Sequence, residues 1–322
     1  MRALITGANG FVAGHLLTEL RSHDPELEIW GLTWGEFDRA ALEAVASGIR
    51  LVEGDLLEPG SIPSLLETAR PDVLYHLAAA SSVARSWDNA AQALAINAIG
   101  TAHLFDAILR SGLDPVVVVS STAEVYGRLD RAAGPVRESA PLAPVSPYGT
   151  SKAAQDWLTA QYHRGRNLAA VRVRFFHLTG PGRPATFVAS SFARQIARIE
   201  LGLAPPRLAV GNLDAVRDIT DVRDAVRACR MSCDRRHVGE VFNVCSGRGI
   251  AISDLVGTLL QLTDRPIDVE VDPTRMRPSD LPWMVGDPST IEAATGWRAE
   301  IPLRETLSDL LDWWRGKLRA EA

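Results

Sequence analysis

The sequence predicts a doubly wound parallel α/β fold with a smaller C-terminal α/β domain. Three observations favour it. Short apolar runs alternate with helical stretches over the first ~170 residues, which is typical of βαβ units. The four valines of Val116–Val119 suit a strand that is buried on both faces. A glycine-rich turn joins the first strand to the first helix, as in dinucleotide-binding sheets of the Rossmann type.

The strands and helices of this N-terminal region are predicted from the spacing of apolar residues and from the turn residues between them. The predicted strands are Arg2–Thr6, Leu27–Leu32, Arg50–Glu53, Val73–Leu77, Val116–Ser120 and Leu168–Arg174. The predicted helices are Gly10–Ser22, Asp38–Ser47, Ser61–Ala69, Ala90–Ser111 and Tyr148–His163.

The regular alternation of strands and helices ends after Arg174, and Gly180-Pro181-Gly182-Arg183-Pro184 indicates a loop. The remainder predicts helices at Val188–Leu201, Val222–Cys233, Ile252–Leu262 and Pro302–Trp314, and short strands near Leu208–Val210, Val241–Asn243 and Asp268–Val271. We therefore predict a dinucleotide-binding domain over 1–174, with a return near 219–246. Residues 175–218 and 247–322 would form the substrate domain.

Composition excludes several other classes of protein. Apolar residues make up 46% of the chain, enough for a sizeable core, and the formal charge of −5 argues against a nucleic-acid partner. No apolar run approaches the ~18–20 residues of a membrane span, and the N-terminus is typical of a first strand, not of a targeting segment. The three cysteines do not suggest a disulfide framework or a metal site. We expect a cytoplasmic protein without nucleic-acid or membrane partners.

The glycine-rich turn predicts a site for a nicotinamide dinucleotide. Glycine lets the backbone approach a pyrophosphate, and the positive end of the following helix favours its charge. No acidic residue ends the second strand, and no arginine follows that strand before Arg39, so the sequence does not distinguish NADH from NADPH as the cofactor. The residues predicted to bind the cofactor are Gly7, Asn9, Gly10, Phe11, Val12, Thr33, Asp55, Leu56, Leu77, Ala78, Ala79, Asn97, Tyr148 and Lys152. His76 is interpreted as a packed strand histidine.

Tyr148 and Lys152 lie four residues apart, so they share one helix face. With 4 Tyr and 2 Lys in 322 residues, random placement gives such a pair only ~2.5% of the time. A neighbouring lysine favours tyrosinate, so we expect Lys152 to lower the pKa of Tyr148. The hydroxyl group expected to partner Tyr148 comes from the end of the fifth strand, where Ser120, Ser121 and Thr122 follow one another. Asn97 is a polar residue inside an apolar helix, where it holds backbone near Lys152 or marks a plain kink.

These residues resemble the extended short-chain dehydrogenase/reductase family. The likeness covers nearly the whole chain, and six segments carry it: Thr6–Gly14, Asp55-Leu56, His76–Ala80, Asn97–Thr101, Ser121–Gly127 and Tyr148–Lys152. The resemblance implies catalysis by Thr122, Tyr148 and Lys152, with Glu124 beside them, and a nucleotide-sugar substrate. Relatives commonly dimerise through the helices at 90–111 and 148–163, so a homodimer is expected.

Later segments resemble the GDP-6-deoxy-D-mannose reductases within that family. They include Ser81–Trp87, Val210–Asp218, Phe242–Gly247 and Arg277–Asp280. The resemblance implies NAD(P)H-dependent reduction of the 4-keto group of GDP-4-keto-6-deoxy-D-mannose to GDP-D-rhamnose. It implies substrate contacts from Ser82, Val83, Glu124, His177, Phe187, Val188, Arg217, Arg277 and Asp280, with His177 at a position where many relatives carry Asn.

Three other functions stay open at this point. A nucleotide-sugar 4-epimerase would use the same residues with tightly held NAD⁺, and an idle nucleotide-binding protein would share the fold. A GDP-mannose 4,6-dehydratase shares the Gly211–Asp218 region. Elimination is disfavoured because Ala123 stands where dehydratases of the dTDP-glucose type carry an Asp beside the catalytic Thr, and alanine cannot protonate a leaving hydroxyl. Glu124 remains as a carboxyl group beside it, so elimination is not excluded.

Overall fold

The computed structural model describes residues 1–45, 48–58, 60–276 and 281–321. A seven-stranded sheet forms its larger part, with every neighbouring pair parallel and the order β3-β2-β1-β4-β5-β6-β10. These strands are β1 (Arg2–Thr6), β2 (Glu28–Thr33), β3 (Arg50–Glu53), β4 (Val73–His76), β5 (Val116–Thr122), β6 (Ala170–Phe175) and β10 (Val241–Val244). The order reverses between β1 and β4, where open α/β sheets bind ligands. The predicted fold class is confirmed.

Helices cover both faces of this sheet. They are α1 (Phe11–His23), α2 (Arg39–Val45), α3 (Ser61–Ala69), α4 (Val83–Asp88), α5 (Ala90–Leu94), α6 (Gly100–Ser111), α7 (Pro147–Arg166) and α9 (Val222–Ser232). Leu16 and Leu17 of α1 belong to the apolar core on one face of the sheet, together with Val226 of α9. Leu104 and Phe105 of α6 belong to the core on the other face.

A second set of elements forms the smaller part. It comprises β7 (His177–Thr179), α8 (Val188–Glu200), β8 (Arg207–Val210), β9 (Val216–Asp221), β11 (Gly249–Ala251), α10 (Ile252–Leu260), β12 (Asp268–Val271), β13 (Trp283–Met284) and α12 (Leu303–Glu321). Helix α11 (Ser289–Thr295) contacts α9 and β10 of the larger part. Strand β9 pairs with β7, β11 and β13, and β8 pairs with β12. Helices α8, α10 and α12 share a separate apolar core.

Several elements differ from their prediction. Strands β7, β9, β11 and β13 were not predicted because they are two to six residues long and gain stability only by pairing with one another. Helix α12 ends at Glu321, not Trp314, since Leu318 is still buried against the smaller core. Helix α4 was also missed; Ser82 caps it by accepting a hydrogen bond from Arg85 N at 3.2 Å.

The predicted helix over Ala90–Ser111 is interrupted by one π-helical turn, Ala95–Ile99, between α5 and α6. By length and composition, the whole stretch could cross a membrane. It is not an uninterrupted apolar run, because it contains Gln92, Asn97 and Asp106. Half of its most apolar part is buried within the molecule, as in a core helix of a globular protein.

Candidate active site

The glycine-rich turn leaves β1 at the centre of the sheet and enters α1. Gly7 has φ +69°, and a Cβ at this position would lie 2.8 Å from the Cα of Ala78, which follows β4. Gly10 N donates to Gly7 O at 2.9 Å, and the Asn9 amide donates to Trp34 O at 3.0 Å. The backbone is therefore shaped for a close approach that only glycine permits. The turn fits the pyrophosphate of a dinucleotide, whose nicotinamide would supply a hydride to the site described next.

The other predicted cofactor residues surround the ends of the same strands. Thr33 is buried at the end of β2 and its hydroxyl donates to Val52 O at 3.4 Å. Asp55 accepts a hydrogen bond from Leu57 N at 2.8 Å, and the carbonyl of Leu56 accepts one from His103 at 2.9 Å. Phe11 and Val12 open α1, and Leu77, Ala78 and Ala79 follow β4, all only partly buried.

Tyr148 and Thr122 meet at the carboxyl end of β5. Ser146 caps helix α7 by accepting from Gly149 N at 3.0 Å, and Pro147 begins the helix, so Tyr148 lies in its first turn. The hydroxyl groups of Thr122 and Tyr148 share a hydrogen bond. Tyr148 is 9% exposed and Thr122 is 9% exposed, so the pair is shielded from bulk water. The backbone N–H of Glu124 also donates to Thr122 Oγ1, at 3.3 Å.

The hydroxyl groups of the two serines before Thr122 donate hydrogen bonds to residues other than Tyr148. Ser120 donates to His76 O at 2.9 Å, and Ser121 donates to Asp156 at 2.8 Å. Both side chains are buried. Because their hydroxyl protons are used in these bonds, Thr122 is the hydroxyl of this run that meets Tyr148.

The pKa of Tyr148 differs from the expectation. Burial raises it to about 12, and the charge of Glu124 adds to that rise, while the Thr122 hydrogen bond and the charge of Arg183 oppose it. The prediction that Lys152 lowers this pKa is not met, because the lysine amine is directed toward other partners. Tyr148 is consequently protonated at neutral pH, the form that can donate a proton.

Lys152 is 2% exposed and lies in a polar network inside the molecule. Its Nζ donates to Ser120 O and to Gln155 Oε1, both at 2.5 Å. Gln155 in turn donates to Thr101 Oγ1 at 2.9 Å. Burial lowers the pKa of Lys152 to about 7, although the charge of Asp156 opposes this shift. The amine is thus held in place by two acceptors and titrates near neutrality.

The network continues to His76. One ring nitrogen lies 2.8 Å from Thr101 Oγ1 and the other lies 2.8 Å from Thr6 Oγ1. Burial, with a contribution from the charge of Lys152, lowers the pKa of His76 to about 3, so the ring is neutral. His76 is therefore a packed strand residue that links β1 and β4 to the helices, in keeping with its interpretation above.

Asn97 lies in the π turn and holds two segments together. Its amide oxygen accepts from Ala80 N at 2.8 Å, and its amide nitrogen donates to Ala80 O at 3.2 Å and to Ser151 Oγ at 2.8 Å. Asn97 thus ties the chain after β4 to the residue before Lys152. A π turn inserts one additional residue into the helix, and such turns are frequent at functional sites. Here it allows both Asn97 and Thr101 to face inward.

Helix α7 is anchored to the sheet by a buried ion pair. Asp156 is fully buried and accepts from Arg174 Nε at 2.9 Å and from Arg174 Nη2 at 3.0 Å. Arg172 donates to the same carboxylate at 3.0 Å. Burial alone would raise the pKa of Asp156, but the two arginines and Ser121 together hold it below its usual value. This pair fixes the helix that carries Tyr148 and Lys152.

The predicted substrate residues that the structure describes lie on elements of both parts of the molecule. Ser82 and Val83 begin α4, Phe187 and Val188 begin α8, and His177 begins β7. Arg217 lies on β9, is 9% exposed, and donates to Val216 O at 2.9 Å. Arg277 and Asp280 fall outside the described residues.

Sequence reasoning missed Gln155, Thr101 and Arg183. Gln155 and Thr101 carry no pattern of their own; only their contacts show that they support Lys152. Arg183 lies in the segment Gly180–Pro184, which was interpreted only as a loop. Among the described residues, no group of three or more His, Cys, Asp or Glu side chains is placed to hold a metal ion.

Comparisons with known proteins agree on one family. A family model described as GDP-mannose 4,6 dehydratase matches residues 4–310. The GDP-6-deoxy-D-mannose reductase of Pseudomonas aeruginosa is 33% identical over 99% of both chains. The solved structure of RMD from Pseudomonas aeruginosa complexed with NADPH has a TM-score of 0.83 at 31% identity and covers 98% of this chain and 99% of that chain. The UDP-glucose 4-epimerase of Thermus thermophilus in complex with NAD has a TM-score of 0.87 at 25% identity, with coverage of 98% and 99%.

Proposed function

We propose that this chain, which belongs to the GDP-mannose 4,6-dehydratase family of nicotinamide-dependent nucleotide-sugar enzymes, is a 4-keto reductase. Its substrate is GDP-4-keto-6-deoxy-D-mannose and its product is GDP-D-rhamnose. The relative named GDP-6-deoxy-D-mannose reductase, which matches 99% of the chain, supports this choice of substrate. One feature carries the reaction type: Tyr148 is protonated and hydrogen-bonded to Thr122, and the residue after Thr122 is Ala123, where dehydratases of the dTDP-glucose type carry an acid.

The residues divide the chemistry as follows. A reduced nicotinamide held at the glycine-rich turn would supply the hydride for C4 of the sugar, and Tyr148 would donate its hydroxyl proton to the C4 oxygen. Thr122 hydrogen-bonds the same oxygen and orients it. Lys152 binds the nicotinamide ribose and, when charged, favours the tyrosinate that remains. The ketone is thereby reduced and the nicotinamide oxidised, with one proton consumed.

The remaining site residues bind the two nucleotides. The residues that would hold the cofactor are those of the Gly7–Val12 turn, the ends of β2 and β3, and Leu77–Ala79. The residues that would contact the substrate are Ser82, Val83, Glu124, His177, Phe187, Val188 and Arg217. The family resemblance adds Arg277 and Asp280, which lie outside the described residues. Arginine suits a diphosphate because its planar fork can make two parallel hydrogen bonds.

The protein acts as a cytoplasmic homodimer in this proposal. Helix α5 packs against α7, and large apolar side chains remain exposed on both parts of this layer, namely Leu94, Ile99 and Trp157. An exposed apolar layer of this kind marks a contact between proteins.

The test is a reduction assay with purified protein and GDP-4-keto-6-deoxy-D-mannose, with NADH and NADPH supplied separately. Loss of dihydronicotinamide absorbance and formation of a GDP-6-deoxyhexose are expected. Tyr148→Phe should lower kcat by roughly 10²–10⁴-fold, the usual contribution of a general acid. Tyr162→Phe is the matched control on the same helix, since Tyr162 bonds Asp106 at 2.9 Å, away from Thr122.

Two results would contradict the proposal. Near-normal turnover by Tyr148→Phe would remove its acid. A folded protein that oxidises neither cofactor would exclude the substrate. In that case tightly bound NAD⁺ in the purified protein would indicate a 4-epimerase, and consumption of GDP-mannose would indicate a dehydratase.

A further inference from the structure

A cavity of about 250 Å³ lies beside helix α7 and strand β6. Three guanidinium groups line it, those of Arg164, Arg172 and Arg174. Among the described residues that line it, the only carboxylate is that of Asp156. With His163 counted as neutral, the lining therefore carries two positive charges more than it carries negative ones. An excess of this kind favours an anion.

The three arginines differ in how far their N–H groups are used within the protein. Each of the three nitrogens of Arg174 donates to a protein acceptor. Arg172 donates to Asp156 through Nη1 at 3.0 Å, and its Nη2 makes only a long bond of 3.4 Å to a backbone carbonyl. Arg164 donates through Nε to Ala160 O at 3.2 Å, and its two Nη groups have no acceptor among the described residues. Arg164 and Arg172 thus keep N–H groups for a ligand.

The same cavity has an aromatic side chain in its wall. Trp157 lines it and is 55% exposed, and Leu142 adds apolar surface. Pockets for small molecules combine apolar and aromatic walls with a few convergent polar groups. A phosphate monoester carries about −1.5 to −2 charge at pH 7 and offers three acceptor oxygens. A small ring that bears such a phosphate therefore matches both the charge and the apolar wall of the cavity.

We propose that this cavity is a second ligand site, which binds a small phosphate monoester. The phosphate accepts hydrogen bonds from Arg164 and Arg172, since a guanidinium can donate two parallel bonds to phosphate oxygens, and the ring of the ligand packs on Trp157. Tyr148 and Lys152 are not among the lining residues, so the site is separate from the proposed catalytic one. The inference goes beyond the proposed function and does not depend on it.

Asp156 connects this site to the reacting residues. Its carboxylate accepts hydrogen bonds from Arg172 and from Ser121, the residue before Thr122. It also lies four residues after Lys152 on α7. A phosphate at Arg172 shares that guanidinium with Asp156, so the two anions weaken each other's hold on it. Occupation of the cavity therefore acts on the anchor of the helix that carries Lys152.

The experiment measures binding by calorimetry with two probes, inorganic phosphate and glucose 6-phosphate. The protein is first saturated with NADPH and GDP, so that the probes do not enter the proposed nucleotide sites. Arg164→Gln is the informative variant, because this side chain bonds only one backbone carbonyl and its loss should leave the fold intact. Arg166→Gln is the matched control, an exposed arginine in the last turn of the same helix that is not among the lining residues. Thermal unfolding and sedimentation confirm that each variant keeps the fold and assembly of the unaltered protein.

We expect glucose 6-phosphate to bind more tightly than inorganic phosphate. Loss of charge-assisted hydrogen bonds in Arg164→Gln should raise its Kd roughly tenfold to a hundredfold, whereas Arg166→Gln should leave it unchanged. Absence of binding by the folded, unaltered protein, or equal rises in both variants, would overturn the proposal. Equal affinities for the two probes would overturn it as well, because Trp157 would then contribute nothing. A protein that binds the probe through Arg164 but reduces no GDP-sugar would refute the proposed function and leave this inference standing.

Discussion

The buried ion pair between Asp156 and Arg174 sets the position of the helix that carries Tyr148 and Lys152, and Asp156→Asn tests this directly. The substitution keeps the size of the side chain but removes its charge. Arg174, which is 4% exposed, would then lie inside the protein without a counter-charge. We expect α7 to lose its main attachment to β5 and β6.

The magnitude follows from the contacts. Arg174 makes two hydrogen bonds to the carboxylate, and Arg172 and Ser121 make one each. Removing one partner of a buried pair costs about 3–5 kcal/mol, because the other charge stays desolvated. The free energy of unfolding at pH 7 should fall by that amount. Asp106→Asn is the control; its pair with Arg110 is exposed and 3.8 Å long, so its loss should cost under about 1 kcal/mol.

The pH dependence supplies a second readout in urea unfolding. The pKa of Asp156 is lowered in the folded protein, whereas an unfolded Asp titrates near ~3.9. The stabilisation is therefore present above that unfolded value and is lost as the pH falls through the folded one. The difference in stability between the unaltered protein and Asp156→Asn should be largest near neutral pH and should shrink below about pH 4.

A double-mutant cycle decides whether the two residues act together. Asp156→Asn combined with Arg174→Met should cost less than the sum of the single changes, with a coupling of about 1–3 kcal/mol. Additive effects, or a loss under about 1 kcal/mol for Asp156→Asn at pH 7, would refute the reasoning.

Three further predictions concern the site and the surface. Gly7→Ala should destabilise the protein by about 1–3 kcal/mol and weaken NADPH binding, because φ is +69° and the new Cβ would meet Ala78. The control Gly14→Ala, where the new Cβ would enter open space within α1, should stabilise the protein slightly. Equal effects of the two substitutions in thermal unfolding would contradict this prediction. Gln155→Leu removes one hydrogen-bond acceptor of the Lys152 ammonium group, which lowers the pKa of Lys152 further. The pH profile of kcat should therefore shift to lower pH. An unchanged profile would show that Gln155 does not position the lysine. Trp157 on α7 is 55% exposed, and Trp157→Glu should dissociate the proposed dimer in sedimentation analysis. Leu203 follows α8 and is 48% exposed, and the control Leu203→Glu should leave the dimer intact. A dimer that survives Trp157→Glu would place the interface on another surface.

Local patterns in the chain were sufficient for the parallel sheet. Its strands are buried on both faces, so each is a short apolar run that stands out from the amphipathic helices around it. The glycine-rich turn and the Tyr148–Lys152 pair are equally local, because backbone freedom at Gly7 and the spacing of one helical turn depend only on neighbouring residues. The sequence was therefore enough to name the family and the residues expected to react.

The surroundings of those residues were decided by the tertiary structure. Gln155 supports Lys152 only because the π turn brings Thr101 within hydrogen-bond distance of it, and the burial of Tyr148 raises a pKa that the sequence alone predicted to fall. Arg183 lies close to Tyr148 because His15 of α1 contacts the carbonyl oxygen of Pro181 in its loop, and these two residues are 166 positions apart. Pairing between distant segments, burial and desolvation depend on the whole fold. They determine which side chains face one another, and no local pattern of the sequence records them.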